Sequence, residues 1–515
     1  MMQTMSRWKM RAAIAIVFVL TIFCIDFGQA GTANGHEKIY ITGVTPIKEE
    51  IAVEYNTPWE EVLAQLPKET TITVSKGDPI PVSLNWTSES EYGEYMPGIR
   101  GLYLLTGTFE LPDGVYQPNP PIDLKVELII QQLGSEPLTI DDPIFNQPGA
   151  YLKKEMMHSG QQRTYYYYLP SSIEHSNEPL PLLVLLHGGG SYALGQLSYT
   201  GFDAIAEKEN FIILAPDYGS SAFGNFTNDI AFISDIIDQT IKEYNVDERR
   251  IYATGISMGG STSISLAYEL PDKIAAIAPV SIGPNRLMRE PLPFPKTVIY
   301  MAGSEERIGS PVTRDFLPAV RETASRLVAQ NRTSTIPKIT NWDATEIDPT
   351  SIKRSVYNGG IFDTEVIAYE VERGGHTWPG KYQYASILSV GLTSQHIDAS
   401  EQIWEHLKTQ KLPIAADMFI TPAALNVNSK GKWVQAHVKI PGIHDPVEEV
   451  VLTYNGKSLA ADEFKPLNGK VQAKFNRSEL ISMLSEADGA VELRTGVKIG
   501  DEWFTAVDKI TLKGK

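Results

Sequence analysis

Three short stretches of this 515-residue chain combine residue types and spacing that could support acyl-transfer chemistry. The first is Gly255-Ile256-Ser257-Met258-Gly259, a G-x-S-x-G run. It follows the strand formers Ile251, Tyr252 and Ala253 and precedes Ser261–Leu270, which reads as a helix. A strand, a tight turn and a helix would lift the Ser257 hydroxyl above a sheet, and so close a turn requires glycine on either side of the serine. The backbone N–H of Met258 would then face a developing oxyanion at the positive end of the helix.

A nucleophilic serine needs a base, and chain order narrows the choice. In hydrolases built on the strand–turn–helix plan the order is serine, acid, histidine. Five histidines follow Ser257: His376, His396, His406, His437 and His444. Only His376 stands in a loop directly after a core-like strand, Glu365 to Val371, where glycines and Pro379 fix an irregular path. For the acid, strand Thr297–Gly303 runs into Ser304-Glu305-Glu306, so Glu306 leads and Glu305 follows. Asp348 and Asp363 remain as alternatives, although neither directly follows a predicted core strand. The second oxyanion donor should come from the loop after the apolar strand Leu182–Leu186, where Gly188 and Gly189 are the candidates. His187 precedes the serine in the chain and reads as a structural residue that shapes this loop.

The elements that must position these residues alternate between strand and helix from about Tyr151 to residue 410, as parallel α/β architecture requires. Phe211–Leu214 reads as the next strand, and helix Asn228–Tyr244 places Phe232, Ile233, Ile236, Ile237 and Ile241 on one face. Ile274–Val280 is a further strand and Ala399–Lys408 a closing helix. The segment 311–360 is an insertion with a helix at Arg314–Gln330, expected to form one wall of a substrate cleft. The tyrosines of Thr164–Leu169 are expected to divide between core and surface.

At this length about three domains are expected, and a hydrophobic content of 42% suffices for their cores. Residues 1–30 read as a signal peptide: Arg7, Lys9 and Arg11 precede an apolar run, Ala12–Ile25, that is shorter than the ~20 residues of a membrane span. The single cysteine, Cys24, lies inside that segment, so disulfides are not expected in the mature chain. A net charge of −17 argues against nucleic acid or anionic lipid as partner and for an exported protein, free or surface-associated, with no membrane span after cleavage. Neither H-E-x-x-H, an EF-hand loop nor a nucleotide loop occurs, so neither metal nor cofactor is expected.

The motifs Leu185–Gly190, Tyr244–Gly260, Ile274–Val280 and Gly374–Gly380 together resemble the polyhydroxybutyrate depolymerase and feruloyl/acetylxylan esterase group over about residues 151–410. The resemblance implies an α/β-hydrolase, a mostly parallel sheet with helices on both faces, and a Ser-His-acid triad carried onto Ser257 and His376. It implies secreted hydrolysis of a polymeric or small-molecule ester. Esters of plant cell-wall polysaccharide come first and polyhydroxyalkanoate second; a peptidase of the same fold, or a surface adhesion protein with a non-catalytic hydrolase domain, are the other readings.

Strand-like runs between residues 38 and 132 suggest a β-sandwich interrupted by one helix, which Thr57-Pro58-Trp59-Glu60 would open as a capping box. Thr57–Pro67, Thr70–Val74, Val82–Trp86 and Gly98–Phe109 resemble a bacterial Ig-like surface module, which implies a spacer or adhesive role. Residues 133–149 read as a linker and 413–515 as a second β-sandwich, an accessory domain. These two flanking units are the candidates for cell-wall or polysaccharide contact.

Overall fold

A computed structural model describes residues 38–514 except 48–50, 55–56, 88, 91–92, 96–101, 134–137, 176, 220–225, 310, 346–347 and 386. The expected signal peptide and Cys24 lie outside the described residues.

The centre of the molecule is a ten-stranded sheet. Its strands are Ala150–His158 (β1), Gln161–Leu169 (β2), Leu180–Leu186 (β3), Ile212–Pro216 (β4), Val246–Ile256 (β5), Ala276–Val280 (β6), Thr297–Gly303 (β7), Lys338–Trp342 (β8), Ser351–Tyr357 (β9) and Val366–Glu372 (β10). They lie side by side in the order β1-β2-β4-β3-β5-β6-β7-β10-β9-β8. The run from β4 to β10 is parallel, while β1, β2, β8 and β9 add antiparallel edges.

Parallel strands covered on both faces must be apolar throughout, and all seven side chains of β3 are buried. Leu183 and Leu185 point into one core, Leu182, Val184 and Leu186 into the other. Ala193–Thr200 (α1), Phe202–Glu209 (α2) and Ala399–Leu407 (α6) close the first core; Phe226–Glu243 (α3), Met258–Glu269 (α4) and Leu317–Asn331 (α5) close the second. This is an α/β-hydrolase sheet with helices on both faces.

Two of these ten strands, β8 and β9, come from the insertion. Helix α5 packs on the sheet through Val320, Ala324 and Leu327, and β8 and β9 extend its edge. The 311–360 segment therefore builds scaffold.

Before this unit, two four-stranded sheets enclose small cores around Ile41, Ile72 and Phe109 and around Val53, Val62 and Leu105. The interrupting helix spans Trp59–Gln65. Pro58 occupies its N-cap, where proline has no side-chain group to cap with. Proline sits one residue before the position that the capping-box register needs.

After it, a sheet containing 447–454, 490–499 and 502–513 shares a core with a sheet containing 417–421, 433–439, 463–467 and 470–476. This last unit docks on the hydrolase through Arg249–Glu502 (2.6 Å), Asp272–Arg494 (2.8 Å) and the rings of Phe362 and Trp503 (4.8 Å). No helix among the described residues is long and apolar enough to cross a membrane.

Candidate active site

Strand β5 ends at Ile256 and α4 begins at Met258, so Ser257 alone makes the turn. Its φ of +56° and ψ of −117° are costly for a residue with a side chain, of order 1–3 kcal/mol, and persist because the surroundings fix them. The Ser257 N–H donates to Val280 O (2.9 Å) and its carbonyl accepts from Ser261 N (2.9 Å). A Cβ on Gly255 or on Gly259 would lie 2.2 Å from the carbonyl oxygen of Leu186, so strand and helix can approach β3 this closely only with glycine at both places. Met258 stands in the first turn of α4, where backbone N–H groups lack intrahelical partners.

Glu306 lies in the loop that follows the end of β7 at Gly303. Its backbone pairs with Arg314 in both directions (3.0 and 2.8 Å), which turns the side chain inward. The carboxylate is fully buried; Oε1 accepts from Gly303 N (2.8 Å) and Oε2 meets His376 Nδ1 at 2.7 Å. Burial pushes the Glu306 carboxyl above its ordinary range, and the bonds from His376 and the Gly303 N–H offset only part of that shift. With Nδ1 engaged, Nε2 is the ring nitrogen left for the cavity that His376 lines.

The loop carrying His376 is held from several sides. Its N–H donates to Val390 O (2.5 Å), and its carbonyl accepts from the Tyr384 hydroxyl (3.0 Å). Two residues on, Trp378 N donates to the Tyr199 hydroxyl (3.0 Å), while the buried indole donates to Ser400 Oγ (3.0 Å).

His187 is enclosed. Its Nδ1 donates to Gly188 O (2.9 Å), Nε2 accepts from Tyr218 N (3.3 Å), and its carbonyl accepts from the Tyr218 hydroxyl (2.8 Å). Burial lowers its pKa, so the ring stays neutral and both nitrogens serve to shape the glycine loop.

Ser257, His376, Gly188 and Gly189 line one cavity of about 490 Å³. Tyr192, Tyr199, Tyr382 and Tyr384 form an aromatic wall, with Tyr199 edge-on to Tyr382 (5.1 Å) and Tyr384 (5.4 Å). Leu138, Ile144, Ile308 and Val390 add aliphatic surface.

Two expectations are corrected here. Among the described residues the insertion 311–360 contributes none of the lining residues, because its elements are spent on the sheet edge. The segment expected to be a linker does contribute: Leu138 and Phe145 are buried in the hydrolase core, and Leu138 N is bonded to the Tyr192 hydroxyl (3.1 Å). The consecutive tyrosines of β2 stay out of the cavity; Tyr165, Tyr167 and Tyr168 are buried and Tyr166 half-buried. The tyrosines that matter were missed because they come from two segments far apart in the chain and share no sequence pattern.

The other candidate acids stand elsewhere. Glu305 points to solvent near Arg307 (3.8 Å), and Asp363 pairs with Lys498 of the C-terminal unit (2.6 Å). Asp348 accepts from Thr350 N (2.9 Å), Thr350 Oγ1 (2.6 Å) and Gln395 N (2.6 Å) and lies 3.6 Å from His396. His406 pairs with Glu365 at 3.1 Å, and His437 belongs to the C-terminal sheet. Among the described residues no group of three His, Cys, Asp or Glu side chains is placed to hold a metal ion.

Comparison with known proteins bears on the first half of this unit. Residues 157–289, which include Ser257, Met258, Gly188 and Gly189, match the putative esterase family. The esterase segment has a relative in the bifunctional acetylxylan esterase/xylanase of Neocallimastix patriciarum, 33% identical over 152 residues, covering 29% of this chain and 22% of the relative. The chain thus spans less than a quarter of that protein's length. Feruloyl esterase D of Neurospora crassa is 27% identical over 135 residues, covering 24% of this chain and 46% of its own. The solved acetyl xylan esterase of Aspergillus awamori aligns with a TM-score of 0.33 at 16% identity, covering 44% of this chain and 94% of the other.

Proposed function

We propose that the chain is a carboxylic ester hydrolase that works through an acyl-enzyme on Ser257. The observation that carries this reading is the buried His376–Glu306 pair, 2.7 Å apart, at a cavity that Ser257 also lines. Glu306 holds the imidazole in the tautomer with the proton on Nδ1, so Nε2 accepts the Ser257 proton as the hydroxyl attacks an ester carbonyl. The N–H of Met258 and one from the Gly188-Gly189 loop stabilise the oxyanion. The protonated His376 gives its proton to the leaving alcohol, and a water activated at the same nitrogen releases the acid.

The substrate we infer is an ester of plant cell-wall polysaccharide. Four tyrosines and four aliphatic side chains around about 490 Å³ suit an aromatic acyl group such as ferulate better than an acetyl group, which would fill little of that space. The names of the two relatives are consistent with this class. We further propose export, supported by the basic start and apolar run of residues 7–25, an N-terminal Ig-like β-sandwich as spacer, and a C-terminal β-sandwich as polymer-contacting accessory.

Hydrolysis of p-nitrophenyl acetate by the parent and by Ser257→Ala tests the reaction, and methyl ferulate, acetylxylan and polyhydroxybutyrate then separate substrates. The proposal expects turnover by the parent and a loss of roughly 10⁴-fold or more in the variant. A folded parent no more active than Ser257→Ala would end the esterase reading.

A further inference from the structure

One sheet of the C-terminal unit carries aromatic rings and lysines together on its outer face. Alternation along 433–439 and 470–476 sends Val434, Ala436, Val438, Val471, Ala473 and Phe475 into the core. The opposite face then carries Trp433, Gln435 and His437 beside Lys474, Gln472 and Lys470, each directly across the ladder or one step from it. On the next strand Phe419 stacks on His437, with ring centres 4.4 Å apart and planes within 9°, and remains 41% exposed.

Lysines surround these rings. Lys432 and Lys474 stand 4.5 and 5.9 Å from the Trp433 ring, and Lys470 stands 5.8 Å from Phe419. Lys439 and Lys465 belong to the same face by register, against Asp417 and Glu463. Five cations against two carboxylates make a basic patch on a chain of net charge −17. Between the two aromatic platforms, which are four residues and so about 13 Å apart along the strand, Gln472 donates to Gln435 (2.6 Å).

A solvated sheet face needs neither feature. Aromatic rings normally leave such faces for the core, where their area is worth most, and lysines alone are enough to keep a strand soluble. Flat rings spaced by a few sugar lengths, with amides between them, fit the C–H faces and hydroxyls of pyranose rings. Ammonium groups over the ring edges fit a carboxylate on each sugar. The acidic remainder of the chain repels a polyanion everywhere else and so directs it to this face.

We infer that the outer face of the C-terminal sheet, centred on Trp433, Phe419, His437, Lys470 and Lys474, binds an acidic polysaccharide of the polyuronate type. Its docking to the hydrolase lies at the start of β5, the end remote from Ser257, so the face acts as a tether that raises local substrate concentration and takes no part in the chemistry. The binding itself does not rest on the esterase reading; the role as a tether does.

Affinity electrophoresis of the full chain tests it, with polygalacturonate, neutral xylan or a single-stranded oligonucleotide as the probe, beside Trp433→Ala and the double variant Lys470→Gln/Lys474→Gln. The expected result is retardation by polygalacturonate that weakens with salt, falls about tenfold in either variant and leaves p-nitrophenyl acetate hydrolysis unchanged. The glutamine variant keeps side-chain length on an exposed face, so it separates lost binding from lost folding. No retardation by polygalacturonate, equal retardation of parent and both variants, or stronger retardation by xylan or the oligonucleotide would overturn the inference.

Discussion

Two histidines of the hydrolase unit stand beside carboxylates, and the contrast between them explains which one is available for chemistry. His376 meets Glu306 at 2.7 Å through Nδ1, and the Glu306 carboxylate is otherwise held by the Gly303 N–H and the Ser281 hydroxyl. His396 lies 3.6 Å from Asp348 but gives its Nε2 proton to Thr350 O (2.8 Å). Asp348 is meanwhile saturated by Thr350 and Gln395. The first pair leaves a basic nitrogen toward a cavity that contains a serine. The second ties three loop segments together. Proximity to a carboxylate is therefore shared by both; what differs is that only His376 lines the cavity that Ser257 also lines.

Exchanging each acid for its amide should separate the pairs most sharply. Glu306→Gln removes the charge that holds the imidazole in its tautomer and stabilises the imidazolium, and a loss of about 10³-fold or more in kcat is expected with KM little changed. Asp348→Asn should leave kcat within about threefold but lower stability by ~1–3 kcal/mol in denaturant titrations, since bonded buried groups lose a partner. A large kinetic effect of Asp348→Asn with none from Glu306→Gln would reverse the assignment.

The cavity wall offers a smaller, substrate-dependent effect. Ile144→Ala opens the side contributed by the 138–149 segment, and kcat/KM should fall about tenfold for methyl ferulate while p-nitrophenyl acetate changes little. Equal losses on both esters would mean that the segment supports folding and does not select the acyl group. Tyr384→Phe, which removes the hydroxyl bonded to the His376 carbonyl, should lower kcat a few-fold and leave KM for p-nitrophenyl acetate unaltered.

Acid sharpens the comparison further. Burial raises the Asp348 carboxyl, but the bonds from Thr350 and the Gln395 N–H outweigh it, and the net pKa lies below the ordinary value. A folded pKa below the unfolded one contributes stability above the unfolded pKa that is lost as pH falls through the folded one. The gap in melting temperature between the parent and Asp348→Asn should therefore close as the pH is lowered below about 4. A gap that persists at low pH would show that the charge of Asp348 is not what stabilises these loops.

Much of this arrangement was legible because it is local. The turn at Ser257 follows from five consecutive residues, and the strand-end positions of Glu306 and His376 follow from the apolar runs that precede them. The α/β alternation was legible for the same reason, since buried strands such as Leu180–Leu186 are continuously apolar. What escaped is tertiary. Tyr192, Tyr199, Tyr382 and Tyr384 become a wall only when α1 meets the loop after β10. Leu138 and Ile144 sit in a Pro- and Gly-containing stretch whose composition signals a spacer, yet its few apolar residues find a groove on the hydrolase. The insertion misled because a helix and two strands can wall a cleft or extend a sheet equally well. Only the unpaired edge of β10 decides for the sheet.

The central claim is that Ser257 is a nucleophile activated by the His376–Glu306 pair. The most direct measurement is covalent labelling with a fluorophosphonate followed by mapping of the modified peptide. The account predicts a single adduct on the peptide containing Ser257, absent in Ser257→Ala and slowed by at least about 10²-fold in Glu306→Gln but not in Asp348→Asn. An adduct elsewhere, or labelling of Ser257 at the same rate with and without the Glu306 carboxylate, would contradict it.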